Sequence, residues 1–436
     1  MLVCKFGGSS LSSEAQFKKV KNIVESDPNR QVIVVSALGK RESADNKLTD
    51  LFYVIHAHAQ HGICYESLWQ EVAGRFKDVK TILGLTTGIE TALSEIRTSL
   101  NKNALSVDDL VSRGEYLTGR LMAEYLNYTF IDAADVIIFG ANGDVDMDLT
   151  TEKLKTALPT GTKAVIPGFY GAYQNGKIKL FGRGGSDISG AIVAAALKAE
   201  KYENFTDVSG VLMADPRIID NPPAIAGLTY EELSELTYMG ASVLHEASSH
   251  PVQDAGVPIH IKNTNDPDAQ GTLICDGFDA ETTTKITGIS GKKDVLSFSI
   301  YKRHMSTEIG FLQRTLAIFA RYNVNIEHVP TGIDHVGVVV MAESVTHCLE
   351  ELVETLKSEL GADEVLVKDG TALITIVGRG IVEDAAFLGR AFAALGRHRI
   401  NISFTSQSPK KLNIILGVKN EDYVQATKAL YEELVG

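Results

Sequence analysis

One stretch of the chain is written twice, and this limits the folds open to its last third. FLQRTLAIFARYNVNIE begins at Phe311 and FLGRAFAALGRHRINIS begins at Phe387, an offset of 387 − 311 = 76 residues. Phe311, Leu312, Arg314, Ala317, Arg321, Asn325 and Ile326 all recur. Without gaps, the same offset lays VLSFSIY (295–301) over TALITIV (371–377) and VGVVVMAE (336–343) over LNIILGVK (412–419). A repeat at a fixed offset is one small folding unit built twice. Leu312, Leu316 and Phe319, like Leu388, Phe392 and Leu395, recur at helical spacing and predict a helix with that face inward and strands on either side. Each unit then reads strand, helix, strand, strand, helix. A closing strand, DEVLVKD (363–369), follows the first copy, whereas the second reaches Gly436 without one. The spare strand TKITGIS (284–290) is expected to complete the second copy, which would intertwine the two.

Residues 1 to about 275 follow another rule. QVIVVSA (31–37), DVIIFGA (135–141), KAVIPGFYG (163–171) and EKYENFTDVSGV (200–211) are apolar, β-branched runs expected as buried strands. QFKKVKNIVES (16–26) and ISGAIVAAALKAEK (188–201) carry helical periodicity. Strand followed by helix, repeatedly, predicts an α/β fold with a largely parallel sheet between helix layers. AYQNGKIKLF (172–181) is the exception, with Asn175 and Gly176 placed as in a type I′ hairpin turn.

Composition narrows the function classes. With 42 Lys+Arg against 55 Asp+Glu the net charge is −13, so nucleic acid and anionic membrane surfaces would be repelled. Cys4, Cys64, Cys275 and Cys348 have neither disulfide-framework nor zinc spacing and read as reduced thiols. MLVCKFGGSS has glycines where a signal peptide needs an apolar segment, and no run approaches the ~20 apolar residues of a spanning helix. A cytoplasmic protein is expected, with no metal cluster of its own.

Four motifs carry chemistry. KFGGSS (5–10) joins an apolar strand to a helix; its glycines would let backbone approach an anion, and Lys5 would set a point charge on a phosphate. It is not a GxxxxGK[ST] loop. FGRGGSDISGA (181–191) is a second glycine turn, where Arg183 suits a small carboxylate and Ser186 and Asp187 equally suit helix capping. SRGE (112–115) offers Glu115 to an ammonium group. FTDVSGVLMADPR (205–217) turns at Gly210 and returns through Asp215, Pro216 and Arg217. Taken singly, each is explained by turn or cap chemistry.

In this order, on one parallel-sheet pattern, the motifs resemble the aspartokinases of the amino acid kinase family, and the resemblance spans the whole chain. KFGGSS is similar to the family's KFGGTS, VVSALGK contains its VVSA, SRGE and FGRGGSD match directly, and FTDVSGVLMADPR fits TDVxGxxxxDPR. The repeat resembles that family's paired, ferredoxin-like ACT regulatory domains. The resemblance implies a catalytic domain over 1–280, with an aspartate-binding lobe (about 1–160) and a nucleotide-binding lobe (about 161–280). It also implies a regulatory region over 281–436 made of two intertwined ACT domains, about 295–369 and 370–436 plus strand 284–290. The implied reaction is phosphorylation of the L-aspartate β-carboxylate by ATP with Mg²⁺, the first step toward lysine, threonine and methionine.

Carried over by position, Lys5 would neutralise the transferring phosphoryl group and Asp187 would organise the reacting centre. Ser36, Thr49, Glu115, Arg183 and Ser186 would hold the amino acid. Gly7, Gly8 and Ser9 would face the phosphates, with Thr206, Asp207, Asp215 and Arg217 around the nucleotide. The chemistry is consistent, because a carboxylate nucleophile is already ionised at pH 7 and needs positioning and charge neutralisation rather than a base. SVLHE (242–246) departs from the family's KVLHP, so Ser242 replaces a cation that Lys40, Arg41 or Lys262 could supply. That departure leaves open an inactive kinase domain serving an effector-binding sensor, and a kinase for another acceptor is the nearer rival. For regulation, Met305, Ser306, Asn325, Ile326, Glu327 and Thr331 match effector-contact positions, with lysine the expected effector. The ACT domains imply a homo-oligomer, either a dimer or a dimer of dimers.

Overall fold

The computed structural model describes residues 1–240, 244, 248–278, 286–379, 381, 384–407, 410 and 412–436. Ser242 and the first two residues of the 284–290 strand lie outside them. The chain forms two compact units. The first comprises Met1–Val211, Ala224–Leu233 and Ser242–Asp279. The second comprises Leu212–Pro223, Ser234–Ala241 and Ala280–Gly436.

In the first unit the strands are β1 (Leu2–Phe6), β2 (Arg30–Val35), β3 (Thr129–Phe130), β4 (Ile138–Phe139), β5 (Ala164–Pro167), β6 (Tyr170–Tyr173), β7 (Ile178–Leu180), β8 (Lys201–Thr206), β9 (Gly227–Thr229), β10 (Ile259–Asn263) and β11 (Thr272–Cys275). Eight form a sheet in the order β3-β5-β2-β1-β8-β10-β11-β9, and β4-β6-β7 form a small second sheet. Among the described residues of the large sheet only β10 and β11 pair antiparallel. This is the sheet expected of runs that are apolar on both faces. Its central strands pack on a core that includes Phe6, Phe17, Phe52, Phe76 and Phe205.

Local details differ from the sequence reading. The 188–201 helix is Gly185–Ala196, because Lys198 turns left-handed (φ 48°) ahead of β8. The 135–141 run divides into a helical turn, Ala133–Val136, and the two-residue β4. The β6–β7 hairpin is not type I′: Gly176 has φ 82°, but Asn175 is not left-handed, and its Oδ1 accepts from the Lys177 N–H at 3.0 Å.

The second unit is one antiparallel sheet in the order β13-β12-β14-β16-β15, formed by β12 (Gly288–Tyr301), β13 (His335–Met341), β14 (Glu364–Val377), β15 (Phe404–Gln407) and β16 (Asn413–Lys419). β12 and β14 each span both repeats. Ser297–Tyr301 pair with Glu364–Lys368, and Gly288–Lys292 pair with Leu373–Val377. Each strand thus starts in one copy's core and ends in the other's. The helix faces are rotated from the sequence expectation. Leu312 and Phe392 are exposed, and the buried faces are Phe311, Thr315, Ile318 and Phe319 in one copy and Phe387, Ala391, Ala394 and Leu395 in the other. An apolar residue at the edge of a helical stripe satisfies the spacing whether or not it is covered.

Candidate active site

β1 leads into the first glycine turn with Lys5 inward and 6% exposed. Parallel register sets Lys5 beside Asn204 of β8. Lys5 Nζ lies 2.6 Å from Asp187 Oδ1 and donates to Asn204 Oδ1 at 3.4 Å. Asn204 Nδ2 donates to the same Asp187 oxygen at 2.8 Å. Asp187 stands in the first turn of the Gly185–Ala196 helix. That helix lies close on β8 because Gly190 faces Tyr202, where a Cβ would come within 2.4 Å of the hydroxyl. The Tyr202 hydroxyl in turn donates to the Asp187 carbonyl at 3.1 Å.

The glycine turn is held from two sides. The Gly7 N–H is committed to the Phe205 carbonyl at 3.1 Å, so it is not free to meet an anion. Gly8 and Ser9 open the single turn Gly8–Leu11, whose first N–H groups have no acceptor within it. Gly39, from the segment after β2, lies so close that a Cβ there would be 2.1 Å from the Gly8 carbonyl oxygen. Arg75, buried on the Glu66–Leu83 helix, donates to the carbonyls of Gly39 and Asn46, the latter at 2.9 Å. Arg75 therefore fixes both ends of the loop that precedes Thr49.

Glu115 is 3% exposed in the first turn of the Arg113–Leu126 helix, and its Oε2 has no hydrogen-bond partner. Burial pushes its pKa up to about 8, against the opposing pull of the Ala37 and Glu115 N–H groups. Ser36, next to Ala37, is half-buried, as are Thr49 and Ser186. Arg183 is exposed and makes no hydrogen bond or ion pair among the described residues. The Thr206 hydroxyl donates to the exposed Asp207 at 3.2 Å. Lys40 donates to the Ser43 carbonyl at 2.9 Å, Arg41 pairs with Asp45 at 2.9 Å, and Lys262 lies half-buried on β10 beside Phe205 of β8. In the second unit Asp215 and Arg217 close a mutual ion pair at 2.6 Å, which holds the Asp215 carboxyl below its usual range.

Cys4 is no nucleophile: burial and its neighbour Glu203 push the thiol well up, and Glu203 is held by Arg30 at 2.6 Å. An open cleft of about 540 Å³ lined by Tyr116, Phe130, Asp132, Asp135 and Lys153 contains none of the sequence-derived site residues.

Of the effector candidates, Met305 is buried and Ser306 exposed in the turn Met305–Thr307. Asn325 is exposed and Ile326 half-buried, while Thr331 bridges Val336. Glu327, its side chain 4% exposed, is paired with Lys292 at 2.8 Å, and Lys292 lies 4.3 Å above the Tyr238 ring. Sequence reasoning missed Asn204, Arg75 and Lys292, because register and long-range packing bring them to their partners. An asparagine in a run expected as a buried strand was the one visible signal.

Residues 1–263 match the amino acid kinase family and residues 374–434 the ACT domain. Aspartokinase 3 of Bacillus subtilis is 34% identical over 447 residues, covering 99% of this chain and 98% of that protein. The crystal structure of Clostridium acetobutylicum aspartate kinase has a TM-score of 0.91 at 40% identity, covering 100% of this chain and 99% of that one. The fold is also that of E. coli aspartokinase III in complex with aspartate and ADP, at a TM-score of 0.75 and 24% identity over 100% of both chains.

Proposed function

Because this chain belongs to the amino acid kinase family and, within it, to the aspartokinases, we propose that it transfers the γ-phosphoryl group of ATP to the β-carboxylate of L-aspartate. The observation that carries this reading is the buried Lys5 ammonium, tied to Asp187 and Asn204 at the edge of a glycine turn. A β-carboxylate oxygen forms a bond to the γ-phosphorus as the bond to the β–γ bridging oxygen breaks, giving 4-phospho-L-aspartate and ADP. No proton moves, so the protein supplies alignment and positive charge. Lys5 meets the charge of the transferring group, and Asp187 fixes Lys5. Glu115 takes the substrate ammonium on its unpaired oxygen, Arg183 takes a carboxylate, and Ser36, Thr49 and Ser186 supply hydroxyls to the amino acid. Gly8 and Ser9, beside Gly7, face the phosphates, and Thr206 and Asp207 serve the nucleotide. For Asp215 and Arg217 the motif is the support, and Arg217→Ala is expected to raise the KM for MgATP.

Among the described residues no three His, Cys, Asp or Glu side chains converge as a metal site. Mg²⁺ would enter with ATP as the substrate MgATP, since a hard cation of this kind takes oxygen ligands and keeps several of its waters. We further propose inhibition by a free amino acid, lysine first, at the repeats; assembly through them as a dimer or dimer of dimers; and service to lysine, threonine and methionine synthesis. The four free cysteines fit a cytoplasmic setting. Release of ADP from MgATP, measured with aspartate, glutamate, acetylglutamate and carbamate, tests the reading. Aspartate alone should turn over, and Lys5→Ala should abolish it. Turnover with glutamate and none with aspartate would overturn it, full activity of Lys5→Ala would remove Lys5 from the catalytic assignment, and no turnover with any acceptor would leave only the sensor.

A further inference from the structure

Asn204 is 3% exposed in the middle of β8, between Lys5 of β1 and Ile261 of β10. Its neighbour Phe205 stacks on Phe6 at 4.7 Å, the apolar packing such a strand is built from. An asparagine is a poor strand residue, and its amide is costly to bury unless both ends are bonded. Here both ends are used, and both bonds go to the reacting cradle. The amide orientation is dictated, because lysine can only donate and a carboxylate can only accept. Oδ1 therefore faces Lys5 and Nδ2 faces Asp187.

We infer that Asn204 is the positioning residue that aims Lys5 at the transferring phosphoryl group. An ammonium has three N–H donors. One goes to Asp187 and one to Asn204, which leaves a single direction for a phosphate oxygen. That direction is kept open by the turn, since Gly7 carries no side chain and a Cβ there would lie 3.3 Å from Lys5 Nζ. Asn204 has a second effect. Its Nδ2 shares Asp187 Oδ1 with the lysine, so part of the carboxylate's charge is met by a neutral donor and the Lys5 charge is less fully cancelled. A second carboxylate at position 204 would reverse this. An aliphatic side chain would leave the ammonium with one anchor and two loose donors.

The inference rests on the aspartate kinase reading, and its test separates the two. Turnover, KM for aspartate and for MgATP, MgADP affinity by calorimetry and thermal midpoint are measured for the parent, Asn204→Leu and Asn204→Asp. Asn204→Leu, of similar volume, is expected to lower kcat about 100-fold, with the aspartate KM within about threefold and no fall in the thermal midpoint. Asn204→Asp is expected to lower kcat and weaken MgADP about tenfold or more, and to regain activity relative to the parent as the pH is lowered from about 8 to 6, where its carboxylate pair can hold a proton. Asn204→Leu with kcat within threefold of the parent would overturn the inference. So would a loss lying wholly in the aspartate KM or in folded protein, or a pH profile of Asn204→Asp parallel to the parent's. If the parent does not phosphorylate aspartate, the functional reading fails by itself, and MgADP affinity then decides the inference: equal affinity in parent and Asn204→Asp refutes it.

Discussion

Glu115 joins stability and function in a single side chain. In the unfolded chain its carboxyl ionises near 4.5, and in the folded unit near 8. Between those values the folded state holds the extra proton, so stability falls as pH rises through that window and is unaffected by this group below it. Glu115→Gln removes that cost. Its thermal midpoint should exceed the parent's by a margin that grows from pH 5 to pH 8.5, while its aspartate KM rises at least tenfold because the substrate ammonium loses the carboxylate that Glu115 becomes when it releases its proton beside the bound cation. A margin independent of pH would show that the carboxyl is not buried as a neutral acid. Arg183 carries the complementary prediction. Arg183→Lys should raise the aspartate KM more than the MgATP KM, since an ammonium cannot reproduce the forked N–H geometry of a guanidinium. An increase confined to MgATP in steady-state assays would contradict it.

At the scale of elements, the loop after β2 matters most. It sets Gly39 on Gly8, leads to Thr49, and is held from below by Arg75. Arg75→Met should loosen it and cost about tenfold to a hundredfold in kcat/KM for aspartate, and Arg75→Lys should recover little, because one ammonium cannot reach both carbonyls. Wild-type kinetics in Arg75→Met would remove the strut from the account. The parallel sheet and the duplicated unit were legible in the sequence because both leave periodic apolar signatures. The helices between β2 and β3 carry the same helical spacing, as at Ile89, Leu93, Ile96 and Leu100, whereas the break of 135–141 into a turn and a short strand left no such signal. Among the site residues, Lys5 and Asp187 were readable as motif positions and the structure sets them in contact. Asn204 and Arg75 were not, since parallel register brings the one to Lys5 and the other reaches Gly39 from 36 residues away in the chain.

At the scale of the whole molecule, the repeats bear on regulation. Lysine as effector would have to compete for Glu327 with Lys292, an ammonium already in place over Tyr238. Lys292→Met should therefore shift the lysine concentration giving half-inhibition downward, and Glu327→Ala should shift it upward, both read from aspartate saturation curves. An effector binding the low-activity arrangement about 100-fold better biases the equilibrium by about 2.7 kcal/mol, enough to be seen as a change of curve shape. Identical half-inhibition in parent, Lys292→Met and Glu327→Ala would remove the pair from the effector site. The reaction itself is read by trapping its acyl phosphate product with hydroxylamine. Incubated with MgATP, L-aspartate and hydroxylamine, the protein should form the β-hydroxamate of aspartate in step with ADP, and Lys5→Ala should form none. ADP release without hydroxamate, or hydroxamate from glutamate and not from aspartate, would contradict the account.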